Sequence, residues 1–117
     1  MQNSAEILGA VRNVIRERTG KETVSDYAVA KALSISPQAM SARKHGRVFT
    51  MNDETAIRAA DFIGADRLYI LGIVHAEQAE RSNQPEAAAT WRKHAAAILK
   101  TGKRAAMVTG FFLAGAL

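Results

Sequence analysis

Gln38, Ser41, Arg43, Lys44 and Arg47 lie close together in the chain and carry the side-chain chemistry that addresses nucleic acid. A carboxamide such as Gln38 offers a donor and an acceptor side by side, the pattern that pairs bidentately with adenine, and Ser41 can donate or accept. The methyl groups of Ala39 and Ala42 suit contact with a thymine methyl. Arg43, Lys44 and Arg47, with His45 among them, make a basic flank in which each phosphate neutralised would release counterions, giving affinity while base contacts give discrimination. A solvated basic loop past a helix end has the same composition, so the preceding geometry has to decide between the two.

That geometry is helix, tight break, helix. Ser25 is placed to N-cap a first helix, Asp26 adds negative charge at its positive end, and Val29, Ala30 and Leu33 fall on one face. Ala30 is small where two helices must cross. The pattern breaks at Ser34, Ile35 supplies one apolar anchor, and Ser36 followed by Pro37 reads as an N-cap with proline at the first helical position. The spacing predicts a second helix from about Pro37 to about Lys44, with Met40 turned inward and Gln38, Ala39, Ser41, Ala42, Arg43 and Lys44 turned elsewhere.

In this order of residues the segment resembles the lambda-repressor/Cro-like, or XRE-type, helix-turn-helix, whose pattern runs Leu-Ala, three residues, Gly-Val-Ser, three residues, Ile-Ser. Val29-Ala30, Lys31-Ala32-Leu33, Ser34-Ile35-Ser36, Pro37-Gln38-Ala39 and Met40-Ser41 follow it in turn. Ser34 departs from the pattern, since the family prefers glycine at a turn where positive φ is often needed and a Cβ is strained. The resemblance implies that the start of the second helix enters the major groove. Gln38 and Ser41 are then the leading base readers, Ala39 and Ala42 make methyl contacts, Ser36 and Pro37 lie nearest phosphate, and Arg43 or Lys44 addresses guanine or phosphate.

The rest of the chain can hold such a unit. Its 117 residues fit one compact domain with an appendage. Apolar residues recur at three and four, alanine is abundant and proline occurs only at Pro37 and Pro85, so the fold class is all-α. A helix over 4–19, capped by Ser4 and stopped by Gly20, carries Ile7, Leu8, Val11, Val14 and Ile15 on one stripe; Arg12, Arg16 and Arg18 lie mostly off it, as solvated or phosphate-touching cations. After Phe49, expected to plug the core, a helix over about 52–63 presents Ala56, Ile57, Ala60 and Ile63. Gly64 is placed to end it and Asp66 to cap the next, which runs to about Ser82 with Leu68, Ile70, Leu71 and Val74 inward. Ile-Arg-Ala-Ala-Asp-Phe-Ile-Gly-Ala-Asp is similar to the last part of the same repressor-like fold, which extends the resemblance to about residues 4–82. The expectation is a five-helix DNA-binding domain over 1–82 and a C-terminal helical extension over 83–117.

That extension opens with a helix from Pro85 to about Lys100, in which Ala88, Trp91, Ala95, Ile98 and Leu99 share a face and Trp91 serves as a packing anchor. It ends in AAMVTGFFLAGAL, thirteen residues without a charge, preceded by Lys100, Lys103 and Arg104. A bilayer span takes about 20 apolar residues, so the run is too short for an ordinary crossing. Two destinations stay open: an interface within or between copies of the chain, and contact with an anionic inner membrane face, where Gly110 and Ala114 would let helices approach closely. The composition resembles that of small phage-related helix-turn-helix proteins with an apolar C-terminal tail.

Chemistry beyond binding finds no support in the residue types. His45, His75 and His94 sit in separate elements with no i,i+4 pair, and a chain without cysteine has neither disulfides nor cysteine-based zinc sites. His75-Ala76-Glu77 matches the His-x-Glu of zinc deaminases only superficially, since their Pro-Cys-x-x-Cys is missing. No phosphate loop, nucleophile elbow or supported carboxylate pair is present, so no cofactor and no enzyme activity are expected. The net charge of +5 favours an anionic partner, double-stranded DNA or an acidic lipid surface. The composite expectation is a cytoplasmic, sequence-specific transcriptional regulator acting as a homo-oligomer through residues 85–117. The competing expectation is a membrane-associated or structural phage-related accessory protein whose helical core binds a protein. A third, an antitoxin whose tail masks a toxin, has no residue to distinguish it.

Overall fold

The computed structural model describes residues 1–36, 38 and 50–101, and these are all-helical. Five helices follow in order: α1 (Ser4–Thr19), α2 (Asp26–Leu33), α3 (Asp53–Ile63), α4 (Arg67–Arg81) and α5 (Pro85–Lys100). The second helix expected in the motif, and the core role expected of Met40 and Phe49, lie outside the described residues.

Each helix carries its own boundary signals. Ser25 Oγ accepts the Ala28 N–H at 3.1 Å, and Asp66 Oδ1 accepts the Tyr69 N–H at 3.0 Å, as the sequence predicts. Gly20 and Gly64 close α1 and α3 in the left-handed region, at φ 73° and 75°. Pro85 occupies the start of α5. The cap of α1 departs from expectation: Asn3, not Ser4, accepts the Glu6 N–H, at 3.0 Å, while Ser4 sits one position inside the helix, fully buried. A serine hydroxyl with a stronger acceptor nearby is drawn inward, and the neighbouring asparagine is left to satisfy the helix end.

The core runs between α1, α2, α3 and α4. Ile7, Leu8 and Val11 from α1, Val29 and Leu33 from α2, and Ile70 and Val74 from α4 are at most 1% exposed. They close over Ala56, Ala59 and Ala60 of α3, whose small side chains let three other helices approach it. Met51, from the connection ahead of α3, fills the same core.

The most extensive helix contact is between α4 and α5. An ideal Cβ on Gly72 would lie 3.4 Å from Ala95 Cβ and 3.6 Å from the Trp91 carbonyl oxygen, so the absence of a side chain there lets the two backbones come close. Ala88, Ala95 and Ile98 are buried, and Ala95 and Ile98 join the common core. The inward face expected of α4 is rotated. Leu68 is 54% exposed, and Tyr69, Ile70, Ile73, Val74 and Glu77 form the buried stripe instead. Burial also raises the pKa of the Tyr69 phenol above its ordinary value, with Glu6 adding to the effect. Because α5 covers a second side of α4, Gly72, Ala76 and Ala79 are buried as well, which blurs the periodicity that the sequence offers.

Candidate nucleic-acid interface

The site is built on the exit from α2. Ser34 takes φ 56° and ψ 40°, the left-handed region. Its N–H reaches the Lys31 carbonyl at 3.2 Å, and the Ile35 N–H reaches the Ala30 carbonyl at 3.0 Å. These two bonds define a Schellman turn, which satisfies the last helix carbonyls and drives Ile35 back onto the core, where it is half-buried. The same pair of bonds recurs at Gly64, with Ala65 N–H to Ala60 O at 2.8 Å, and at Asn83, with Gln84 N–H to Ala79 O at 2.8 Å. Three turns of one geometry are thus made by glycine, asparagine and serine, the last carrying the largest strain. Ser34→Gly relieves the Cβ clash but adds unfolded-state entropy, so a net gain of about 0.5–1 kcal/mol is expected, read as a higher urea midpoint at unchanged slope. Equal or lower stability would show the turn to be unstrained.

The entrance to α2 is tied to α1. Arg12 donates to the Val24 carbonyl and, at 2.7 Å, to Asp26 Oδ1, with both side chains about a quarter exposed. Arg16 donates to the Glu22 carbonyl at 2.9 Å, and Arg18 lies over the Phe62 ring at 4.6 Å. These three arginines have structural partners: α1 uses them to hold the loop before α2 and the end of α3.

Among the residues expected to read DNA, Ser36 and Gln38 are described and both are exposed, Gln38 in helical conformation. Pro37, Ala39, Ser41, Ala42, Arg43, Lys44 and Arg47 lie outside the described residues. On the other side of this stretch Met51 is buried, 1% exposed, and is followed by Asn52, whose Oδ1 caps α3 through the Thr55 N–H at 2.8 Å.

No family model, curated protein or solved structure matches this chain. Residues 27–52 contain Lys31, Arg43, Lys44 and Arg47 and no Asp or Glu, a formal +4 with no acid in the stretch. Five arginines among the described residues pair with acids: Arg12–Asp26, Arg58–Glu54, Arg67–Asp61, Arg81–Glu77 and Arg92–Glu80, all within 3.4 Å. The Arg67 guanidinium holds the Asp61 carboxyl below its ordinary pKa.

Sequence reasoning missed a second polar centre. Glu77, 5% exposed, accepts the Ser4 N–H at 2.9 Å and the Ser4 hydroxyl at 2.5 Å through Oε1, and Arg81 at 2.7 Å through Oε2. The signal was an acid three residues after Val74 on the apolar stripe of α4. A third grouping surrounds Trp91. His75 packs against it, tilted by 35° with ring centroids 4.6 Å apart, and donates from Nε2 to Asp53 Oδ1 at 2.9 Å, while His94 meets it edge-on at 6.0 Å. Two histidines from separate helices therefore share one aromatic cluster, which supports Trp91 as a packing anchor. Among the described residues no three His, Asp or Glu side chains converge as a metal site, and no helix is long and apolar enough to cross a membrane.

Proposed function

We propose that the protein is a sequence-specific DNA-binding transcriptional regulator of the phage-repressor type, working in the cytoplasm as a dimer or higher oligomer. The observation that carries this reading is the coincidence of an acid-free, +4 stretch with a helix exit built as a Schellman turn at Ser34. Gln38 and Ser41 read bases, with methyl contacts from Ala39 and Ala42; Ser36 and Pro37 lie nearest phosphate, Arg43 or Lys44 addresses guanine or phosphate, and Arg47 completes the basic flank. One reading helix makes few contacts, so useful specificity calls for two copies on a palindrome with half-sites about one helical turn apart. Residues 85–117 supply the surface for that pairing.

Selection of bound duplexes from a random pool tests the reading: an enriched palindrome is expected, and no enrichment would overturn it. On the selected site, Gln38→Ala with Ser41→Ala should erase the preference over random DNA. Arg43→Ala and Lys44→Ala should weaken all duplexes alike, each flattening the log K against log salt slope by about 0.9. An effect confined to one base pair would reassign that cation to base reading.

One observation favours a second reading, a membrane-associated or structural accessory protein: the uncharged run over residues 105–117 behind Lys103 and Arg104. Recovery only in detergent, without retardation of DNA, would select it.

A further inference from the structure

We propose that Ser4, Glu77 and Gln78 are positioning residues for DNA reading, clasping Met51 so that the basic segment meets base edges in one register. This rests on the DNA-reading assignment above. Residue 51 follows that segment closely in the chain, and both of its backbone groups are taken by side chains of other helices. Its N–H donates to Ser4 Oγ of α1 at 3.1 Å, and its carbonyl accepts from Gln78 Nε2 of α4 at 3.1 Å. Its own side chain is sealed in the core.

Glu77 gives the clasp its polarity. A carboxylate only accepts, so the single Ser4 hydroxyl hydrogen is committed to Oε1 and a lone pair is left to face the Met51 N–H. Arg81 holds the other carboxylate oxygen and fixes the rotation of the group. At the opposite end of the segment, Ile35 is fixed by the Ser34 turn and by the core. The proposed reading stretch is thus held at both of its ends. The helix after it is capped separately by Asn52, so the bonds on Met51 fix the exit of the segment rather than the start of α3. Bidentate base contacts fail with displacements of about 1 Å, so a loosened exit should cost discrimination before it costs phosphate binding.

The test compares Ser4→Ala and Gln78→Leu with Ile73→Val, a control that opens a one-methylene cavity in the core and removes neither hydrogen bond on Met51. Each full-length protein is titrated with its selected duplex and with a random one. Ser4→Ala and Gln78→Leu are expected to reduce the ratio of the two affinities about tenfold, the discrimination of roughly one good base contact, while Ile73→Val keeps the parent ratio. An unchanged ratio in both clasp variants would overturn the proposal. A DNA-free measurement runs beside it: trypsin should cut at Arg43, Lys44 and Arg47 several-fold faster in the clasp variants than in the parent or in Ile73→Val. Equal rates throughout would show that the clasp restrains nothing. If the parent itself discriminates no DNA, the DNA reading falls, and the role in reading falls with it.

Discussion

Glu77→Ala is expected to lower the unfolding free energy by about 3 kcal/mol, close to the largest effect of any single substitution in a polar position of this fold. The change strands two donors at once, the Ser4 N–H and the Ser4 hydroxyl, both fully buried. Each buried unsatisfied group costs about 1–3 kcal/mol. Arg81 loses its partner too, but its side chain is 37% exposed and can be rehydrated, which keeps the loss below that of a fully buried stranded charge. Glu77→Gln should cost less, because an amide oxygen can still accept from Ser4 while its NH2 group opposes Arg81. Urea unfolding of the three proteins, with unchanged slopes, checks the order. A parent-like midpoint for Glu77→Ala would mean that water enters and replaces the carboxylate.

Gly72→Leu should destabilise by about 2 kcal/mol or more, because extra methylenes have to enter a helix contact that already lacks space. The Cβ position is in contact with Ala95 and with the Trp91 carbonyl, which belongs to the backbone and cannot swing away. A leucine there pushes α5 off α4, hydrates the half-buried indole of Trp91 and should shift its emission to longer wavelength. Gly72→Ala is the informative partner. A single methyl at 3.4 Å sits at the edge of ordinary contact, and alanine gains roughly 0.8–1 kcal/mol of helix propensity over glycine, so equal or higher stability is expected. Loss in both variants would mean that the helices touch more tightly than a methyl allows.

The helix ends were the most legible part of the sequence, since each is decided by neighbours along the chain. Ser25, Gly20, Gly64 and Asp66 act where their types predict, through bonds that span three to five residues. Ser34 shows the same legibility in a harder case: a turn that favours glycine keeps its left-handed geometry with a serine because the two backbone bonds and the burial of Ile35 outweigh the strain. Side-chain roles that depend on distant partners were not legible. Ser4 fits the pattern of a cap as well as that of a buried hydroxyl, and only Glu77, far along the chain, decides between them. Leu68, expected inward with Ile70 and Leu71, stands about 200° round the helix from Ile70, and burial of α4 on two sides puts Tyr69 and Ile73 in the stripe instead. In the candidate site, the expected base readers follow from the family resemblance, and of the residues it points to, Ser36 and Gln38 are exposed. The ties that hold its ends, Arg12 to Asp26 and Ser4 to Met51, carry no local pattern from which they could be read.

The pairing of Ser4 with Glu77 joins residues 73 positions apart, the longest reach of any buried polar link described. A chain made from its N-terminus delivers Ser4 early and must wait for most of its length before the acceptor arrives. Turns at residues 20, 34 and 64 can close from neighbouring atoms as they emerge, whereas this link needs the loop-closure entropy of nearly the whole domain to be overcome first. The fold therefore has a natural order of completion, in which local corners come first and the lock between the first helix and the fourth comes last. Until that lock closes, the serine hydroxyl and the carboxylate are both hydrated, and a protein halted short of α4 has the corners of its architecture without the tie that makes them one body.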